Sequence, residues 1–264
     1  MICKKCGAKF SDGMFCPECG ARTMPVSGSG DGQMNAWESA FEYSDGEQYN
    51  TKMYGPQGQL EEQHITTTIE INAGGKRSFE NKKLIFRNGI QVGSNAIVEF
   101  RNCALIIDES IINAITIGEN VKISFANCVM KTKGKFILAK SYSFEKSDIV
   151  KFTNCAFVSD MYAFLNLYGS AYFENCFINA KSIAYWHGWM LQQSQEQKLE
   201  FRNCILTNDR GGLGLIKAEI GETTVILENC FIKSNAKLIG KDSRNTKLRI
   251  ENCFFDNYSC MFGS

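Results

Sequence analysis

A repeated Asn-Cys pair limits what this chain can fold into more than any other feature. Seven of the twelve cysteines directly follow an asparagine, and successive pairs lie 21 to 28 residues apart. A dipeptide that recurs at a variable spacing is typical of a solenoid in which every coil has equivalent strands but a loop of different length. The seven pairs are Asn102-Cys103, Asn127-Cys128, Asn154-Cys155, Asn175-Cys176, Asn203-Cys204, Asn229-Cys230 and Asn252-Cys253.

Apolar residues keep fixed positions before each pair. The positions two and four residues before the asparagine are all apolar, and the position between them is mostly polar. This period of two predicts strands with one buried face. The segment 88–102 also matches 113–127 position by position, so the repeat begins before its first cysteine. The column two residues before the asparagine is Phe100, Phe125, Phe152, Phe173, Phe201, Leu227 and Ile250.

A coil of about 25 residues with two or three short strands resembles one turn of a right-handed parallel β-helix of the pectate-lyase-like superfold. The resemblance covers about residues 65–256, and it implies a mainly β solenoid over residues 65–264. Asparagine suits a corner because it tolerates the left-handed conformation and its amide can bond the asparagine one coil away. The cysteine after it is expected to fill the interior as a free thiol, because neighbouring parallel strands hold their Cβ atoms too far apart for a disulfide.

Four other cysteines form two Cys-x-x-Cys-Gly turns at the N-terminus, namely Cys3, Cys6, Cys16 and Cys19. Two such turns can offer four thiolates to one tetrahedral ion, and this ligand set suits Zn²⁺ best. The pattern resembles the short N-terminal zinc ribbon of many bacterial proteins, which implies a structural zinc site in residues 1–22. A pair of disulfides and a rubredoxin-like iron site are the alternatives. No apolar signal segment follows Met1, so we expect a cytoplasmic protein, where disulfides are rare.

Two segments separate the ribbon from the solenoid. Residues 23–34 are rich in Gly and Ser and are predicted to be a flexible linker. Residues 35–64 are predicted to cap the solenoid, with Trp37, Ala40 and Phe41 at the spacing of a short amphipathic helix over the first coil. Few residues follow Cys253 to cover the last coil, so the ends of two β-helices could associate as a homodimer.

Composition and charge exclude several classes of function. The formal net charge is +1, which does not favour a nucleic-acid partner, and no apolar run is long enough to span a membrane. Only two histidines are present, so the commonest general base is scarce. Glu228 and Glu251 are expected one coil apart, a spacing that a retaining glycosidase could use. The competing interpretation is a solvated row of opposite charges that includes Glu174, Arg202 and Glu228. No residue is assigned a catalytic role.

An aromatic cluster in the longest coil is the other candidate site. Tyr185, Trp186, His187 and Trp189 lie together in a segment predicted to be a loop. Exposed rings there could stack on a sugar or on an apolar patch of a partner. They could also fold back onto the wall of the solenoid.

The sequence therefore predicts a non-enzymatic, zinc-binding scaffold or interaction protein that presents a rigid β-helix surface to a protein partner. The alternative is a carbohydrate-binding or carbohydrate-active β-helix protein, of the lyase or glycosidase kind, that uses the Tyr185 to Trp189 segment. Fold alone cannot decide between them, because one superfold supports many functions.

Overall fold

A computed structural model describes residues 54–107, 111, 113–132, 135–139, 148–159, 165–166, 169–180, 184–186, 197–208, 216–218, 223–234, 238 and 246–256. The expected ribbon at 1–22, the linker at 23–34, the helix near Trp37 and the C-terminal residues 257–264 lie outside these ranges. Within them, every regular element is a β-strand. The described part contains no helix that is long and apolar enough to cross a membrane.

The strands are short and follow one another at regular intervals. In chain order they are β1 (Glu61–Ile65), β2 (Ile69–Ile71), β3 (Lys76–Glu80), β4 (Lys82–Phe86), β5 (Ile90–Val92), β6 (Ile97–Arg101), β7 (Ala104–Ile107), β8 (Asn113–Ile117), β9 (Lys122–Ala126), β10 (Val129–Thr132), β11 (Lys135–Ala139), β12 (Asp148–Thr153), β13 (Ala156–Ser159), β14 (Leu165–Asn166), β15 (Gly169–Glu174), β16 (Phe177–Ala180), β17 (Ala184–Trp186), β18 (Gln197–Arg202), β19 (Ile205–Asn208), β20 (Ile216–Ala218), β21 (Thr223–Glu228), β22 (Phe231–Ser234), β23 (Thr246–Glu251) and β24 (Phe254–Asp256).

These strands form three parallel sheets that wrap around one core. The described residues give a nine-stranded sheet from β1 to β24, a seven-stranded sheet from β2 to β20 and an eight-stranded sheet from β3 to β23. Each strand pairs in parallel with the equivalent strand of the next coil, as in the register Phe100↔Phe125↔Phe152. The architecture is a mainly β, all-parallel solenoid, and the predicted repeat is confirmed.

A stack of phenylalanine rings fills the core. Consecutive rings from Phe79 to Phe201 have centroids 4.6–4.9 Å apart and lie nearly parallel. This spacing is that of neighbouring strands, so the stack follows directly from the parallel register. Phe79 extends the phenylalanine stack by one coil before the first Asn-Cys pair, and Asn81 extends the row of corner asparagines by the same coil. The Asn-Cys pattern does not include this coil, because Lys82 stands at the cysteine position.

Asparagines form the corners, as the sequence predicts. All ten non-glycine residues with positive φ in the described part are asparagines, with φ between 52° and 61°. Their side chains also bond between coils: the Nδ2 of Asn102 donates to the Oδ1 of Asn81 at 2.6 Å, and that of Asn154 donates to Asn127 at 3.2 Å. A second corner has the same contact between Asn120 and Asn95, at 3.4 Å.

The seven cysteines of the repeat are free thiols, and six of them are buried. Each thiol lies within hydrogen-bonding reach of a phenylalanine carbonyl in the preceding coil where one exists; Cys128 reaches the oxygen of Phe100 at 3.5 Å. Burial raises the pKa of the Cys128, Cys155 and Cys176 thiols well above the ordinary value. A thiol that stays protonated is a poor nucleophile and a poor metal ligand, so these three cysteines act as core.

Candidate interaction surface

The outward side of the eight-stranded sheet carries the best-defined cluster of charged residues. In β15, β18, β21 and their neighbours, apolar residues enter the core, and the alternate residues face outward because side chains alternate along a strand. We call this surface the charged face. It extends from Glu80 and Arg101 at one end to Arg249 and Glu251 at the other.

Ion pairs join the central coils of the charged face. Arg202 contacts two carboxylates through its Nε atom, at 2.5 Å from the Oε1 of Glu200 and 3.3 Å from the Oε2 of Glu228. Lys198 adds a contact of 2.6 Å to Glu200. The register places Glu174 beside Arg202, and Arg202 beside Glu228. The predicted row of opposite charges is therefore present.

Glu200 is the most enclosed carboxylate of this network. Its side chain is 8% exposed, while those of Lys198 and Arg202 are 38% and 54% exposed. Burial acts to raise the pKa of Glu200, but hydrogen bonds and charge attraction from Lys198 and Arg202 outweigh it, so the net pKa is lowered. Glu200 is therefore a fixed anion at neutral pH, which holds the two cations in place rather than releasing a proton.

An aromatic ring lies next to this network. The Nζ atoms of Lys151 and Lys198 lie 5.9 Å and 5.7 Å from the ring centroid of Tyr172, within the range of a cation–π contact. Residues of three coils, including Ile149 and Glu174, surround an open depression of about 400 Å³ over this ring. The depression combines an aromatic platform with both signs of charge, a composition suited to recognising a polar partner.

The two ends of the charged face repeat the pairing. Arg101 contacts Glu80 at 3.2 Å and Glu99 at 2.6 Å, and Arg249 contacts Glu251 at 2.9 Å. Glu228 and Glu251 are neighbours in the register, as predicted. Each of these two carboxylates contacts an arginine, Arg202 and Arg249 respectively, so the arrangement fits the row of opposite charges better than an acid pair aimed at a substrate.

The other predicted site residues are placed as follows. Tyr185 and Trp186 lie in β17, where their backbones pair with Lys217 and Ala218 of β20, and not in a loop as the sequence suggested. The strand forms because this segment continues the seven-stranded sheet from coil to coil. His187, Trp189 and the four cysteines expected to bind zinc lie outside the described residues. Within those residues, no group of three or more His, Cys, Asp or Glu side chains is placed to hold a metal ion.

Sequence reasoning missed Lys151, Tyr172, Lys198 and Glu200 as members of the surface. Lys151, Tyr172 and Glu200 occupy the polar position between the two apolar columns, so an alignment of coils could have found them. Lys198 contacts Tyr172 diagonally, two residues away from the position opposite the ring. A comparison of aligned columns does not show a diagonal contact.

No family model, curated protein or solved structure matches this chain.

Proposed function

We propose that the protein is a non-enzymatic scaffold that presents the charged face of its solenoid to a protein partner. The observation that carries the proposal is the network of Arg202, Glu200 and Lys198 beside Tyr172. Tyrosine and arginine are enriched at the centres of protein interfaces. Here both residues lie on a parallel sheet that packs on the phenylalanine stack. Because this support is rigid, binding costs little conformational entropy.

The mixture of positive and negative side chains on the charged face favours specific recognition over long-range electrostatic attraction. Paired charges of both signs cancel at long range, whereas at contact they favour a surface with the complementary pattern. This agrees with the net charge of +1, which gives the chain no strong overall field.

The finer class of the fold is part of the same proposal. We assign the solenoid to the right-handed parallel β-helices of the pectate-lyase-like kind. Connections between parallel strands of one sheet are right-handed in nearly all proteins, and successive described strands within each of these three sheets pair in parallel, which supports this assignment.

The N-terminal ribbon is proposed to bind one structural Zn²⁺ through Cys3, Cys6, Cys16 and Cys19. Replacing Cys3 or Cys19 with serine should release the metal and unfold the ribbon, because a structural zinc supplies the folding energy of so small a unit. Zinc content and the circular dichroism of the solenoid are to be measured together. Loss of the solenoid signal would contradict the separation of the two domains.

The partner is to be sought by affinity capture with the full chain, followed by binding measurements with the purified candidate. Arg202→Glu and Tyr172→Ala should weaken binding at least tenfold. Lys83→Glu is the matched control, because Lys83 makes a similar ion pair with Glu62 at 2.8 Å on a different sheet. Equal binding by all variants would overturn the assignment of the charged face.

A carbohydrate-binding or carbohydrate-active protein is the second candidate. The open depression favours it, because Tyr172 could stack on a sugar ring while Lys151 and Lys198 contact acidic groups. A glycan that binds the wild type but not Tyr172→Ala would support this candidate. Loss of binding only in Trp186→Ala, Trp189→Ala would move the site to that cluster, and release of soluble products from a polysaccharide would overturn the non-enzymatic proposal.

A further inference from the structure

On the outward side of the nine-stranded sheet, the column just after the asparagine corners is apolar in the middle coils, while the column two residues further on includes the buried polar residues Asn179 and Thr207. Ala104, Val129, Ala156, Val158, Phe177 and Ile205 form a second hydrophobic cluster, separate from the core inside the coils. We call this surface the apolar face. Phe177 and Ile205 are 0% and 6% exposed, although strand alternation points them away from the interior that holds Cys176 and Ile178. Outward residues this apolar and this enclosed indicate a surface that another segment covers.

Residues 54–60 form a strap that covers part of this face. The strap crosses the coils: Gly55 donates its N–H to the oxygen of Asn154 at 3.0 Å, and Gln57 exchanges two hydrogen bonds with the side chain of Asn102, at 2.6 Å and 2.9 Å. It then enters β1, where Glu61 donates to the oxygen of Asn81 at 2.9 Å. The strap therefore spans the coils of Asn154 to Asn81 in seven residues.

Tyr54 fixes the upstream end of the strap. Its side chain is 3% exposed and its ring centroid lies 6.3 Å from that of Phe177. From Glu61 back to Tyr54, the strap contacts progressively later coils, so its upstream end at Tyr54 lies at the middle of the apolar face. The next outward apolar residues in that direction are Ile205, Phe231 and Phe254, and the last two stack at 5.5 Å.

We propose that the segment 35–53 docks on the apolar face and covers Phe177, Ile205 and Phe231. Four coil spacings of roughly 4.8 Å separate the Asn154 and Asn252 corners, or about 19 Å, and a fully helical segment 35–53 would reach roughly 28 Å. Trp37, Ala40 and Phe41 have the helical spacing that such a groove-filling segment needs. The segment would then hold the N-terminal part against the side of the solenoid, and not over its first coil as the sequence alone suggested.

The environment of Trp37 tests this docking directly. In a full-length chain carrying Trp186→Phe and Trp189→Phe, Trp37 is the single tryptophan, and its fluorescence should be blue-shifted and protected from acrylamide. Ile205→Asp should shift the emission towards that of exposed tryptophan and raise the quenching constant severalfold. The matched control is Ile226→Asp, since Ile226 is an outward isoleucine of the charged face. It should leave Trp37 unchanged.

A reciprocal variant keeps the proposal testable if Ile205→Asp unfolds the solenoid. Trp37→Asp with Phe41→Asp alters only the segment, so the β-sheet circular dichroism should persist while binding of the dye ANS rises severalfold. An exposed Trp37 in the parent chain would overturn the proposal. A dimer that Ile205→Asp dissociates without changing Trp37 would also overturn it, because the occupant would then be a second copy. The readouts do not depend on the ribbon or its metal.

Discussion

The charged face and the apolar face share one core, but outward residues are partly exposed on the first and buried on the second. Tyr172 and Phe177 are both outward aromatics, five residues apart on either side of the Asn175 corner. Tyr172 remains partly exposed beside two lysines, whereas Phe177 is fully buried beneath Tyr54 and its neighbours. A single corner thus separates a surface offered to solvent from one that the chain covers itself.

The difference shows that an outward position in a solenoid is not the same as an exposed one. On the charged face, side chains of neighbouring coils neutralise one another's charge through ion pairs such as Arg202 with Glu228. On the apolar face, neighbouring coils are alike, and they gain stability only when a further segment removes them from water. The first arrangement suits reversible contact with a partner, and the second suits a permanent contact.

The largest expected effect lies beneath both faces. Phe152→Ala removes a fully buried ring that stacks on Phe125 and Phe173. It should lower the free energy of unfolding by about 3–5 kcal/mol, because the rigid neighbours cannot fill the cavity. Urea denaturation checks this value. A cost below about 1 kcal/mol would show that the stack does not support the two faces.

The two outward aromatics, Phe177 and Tyr172, should differ in how much their removal destabilises the fold. Phe177→Ala should cost roughly 2–3 kcal/mol, somewhat less than an interior ring because Tyr54 can shift into part of the space. Tyr172→Ala should cost about 1 kcal/mol or less, the scale of exposed cation–π contacts. Both values come from the same denaturation series. Equal costs would remove the distinction between the faces.

The sequence was informative where a position repeats in every coil. The Asn-Cys spacing predicted the parallel strands, the Phe stack and the left-handed corners, because side-chain sterics fix all three within a coil. It also predicted the row of Glu174, Arg202 and Glu228. The role of the apolar face could not be predicted in this way, since it depends on strap contacts that each occur once, such as those between Gln57 and Asn102, 45 residues apart. No periodic pattern encodes a contact that occurs once.

The corner that joins the faces gives a smaller effect. Asn127 has a φ of 52°, and its Oδ1 accepts a hydrogen bond of 3.2 Å from Asn154. Asn127→Ala should cost about 1–2 kcal/mol, because alanine tolerates this conformation poorly and the bond is lost. Asn127→Gly is the matched control, which keeps the conformation accessible. If glycine costs as much as alanine, the amide bond and not the backbone conformation makes the corner.

The smallest effect tests whether the charged face contributes to stability at all. Because the pKa of Glu200 is lowered in the folded protein, its ion pairs stabilise the fold above the unfolded pKa, near 4.5, and this contribution is lost as the pH falls through the folded value. At pH 7, Glu200→Gln should cost about 1 kcal/mol, since both partners are substantially exposed to solvent. The difference from wild type should shrink steadily when denaturation is repeated below pH 4.5.

Glu251→Gln, with a half-exposed carboxylate and one arginine partner, should change stability less at either pH. A Glu200→Gln cost that does not change with pH would mean that packing, and not charge, holds this residue in the face.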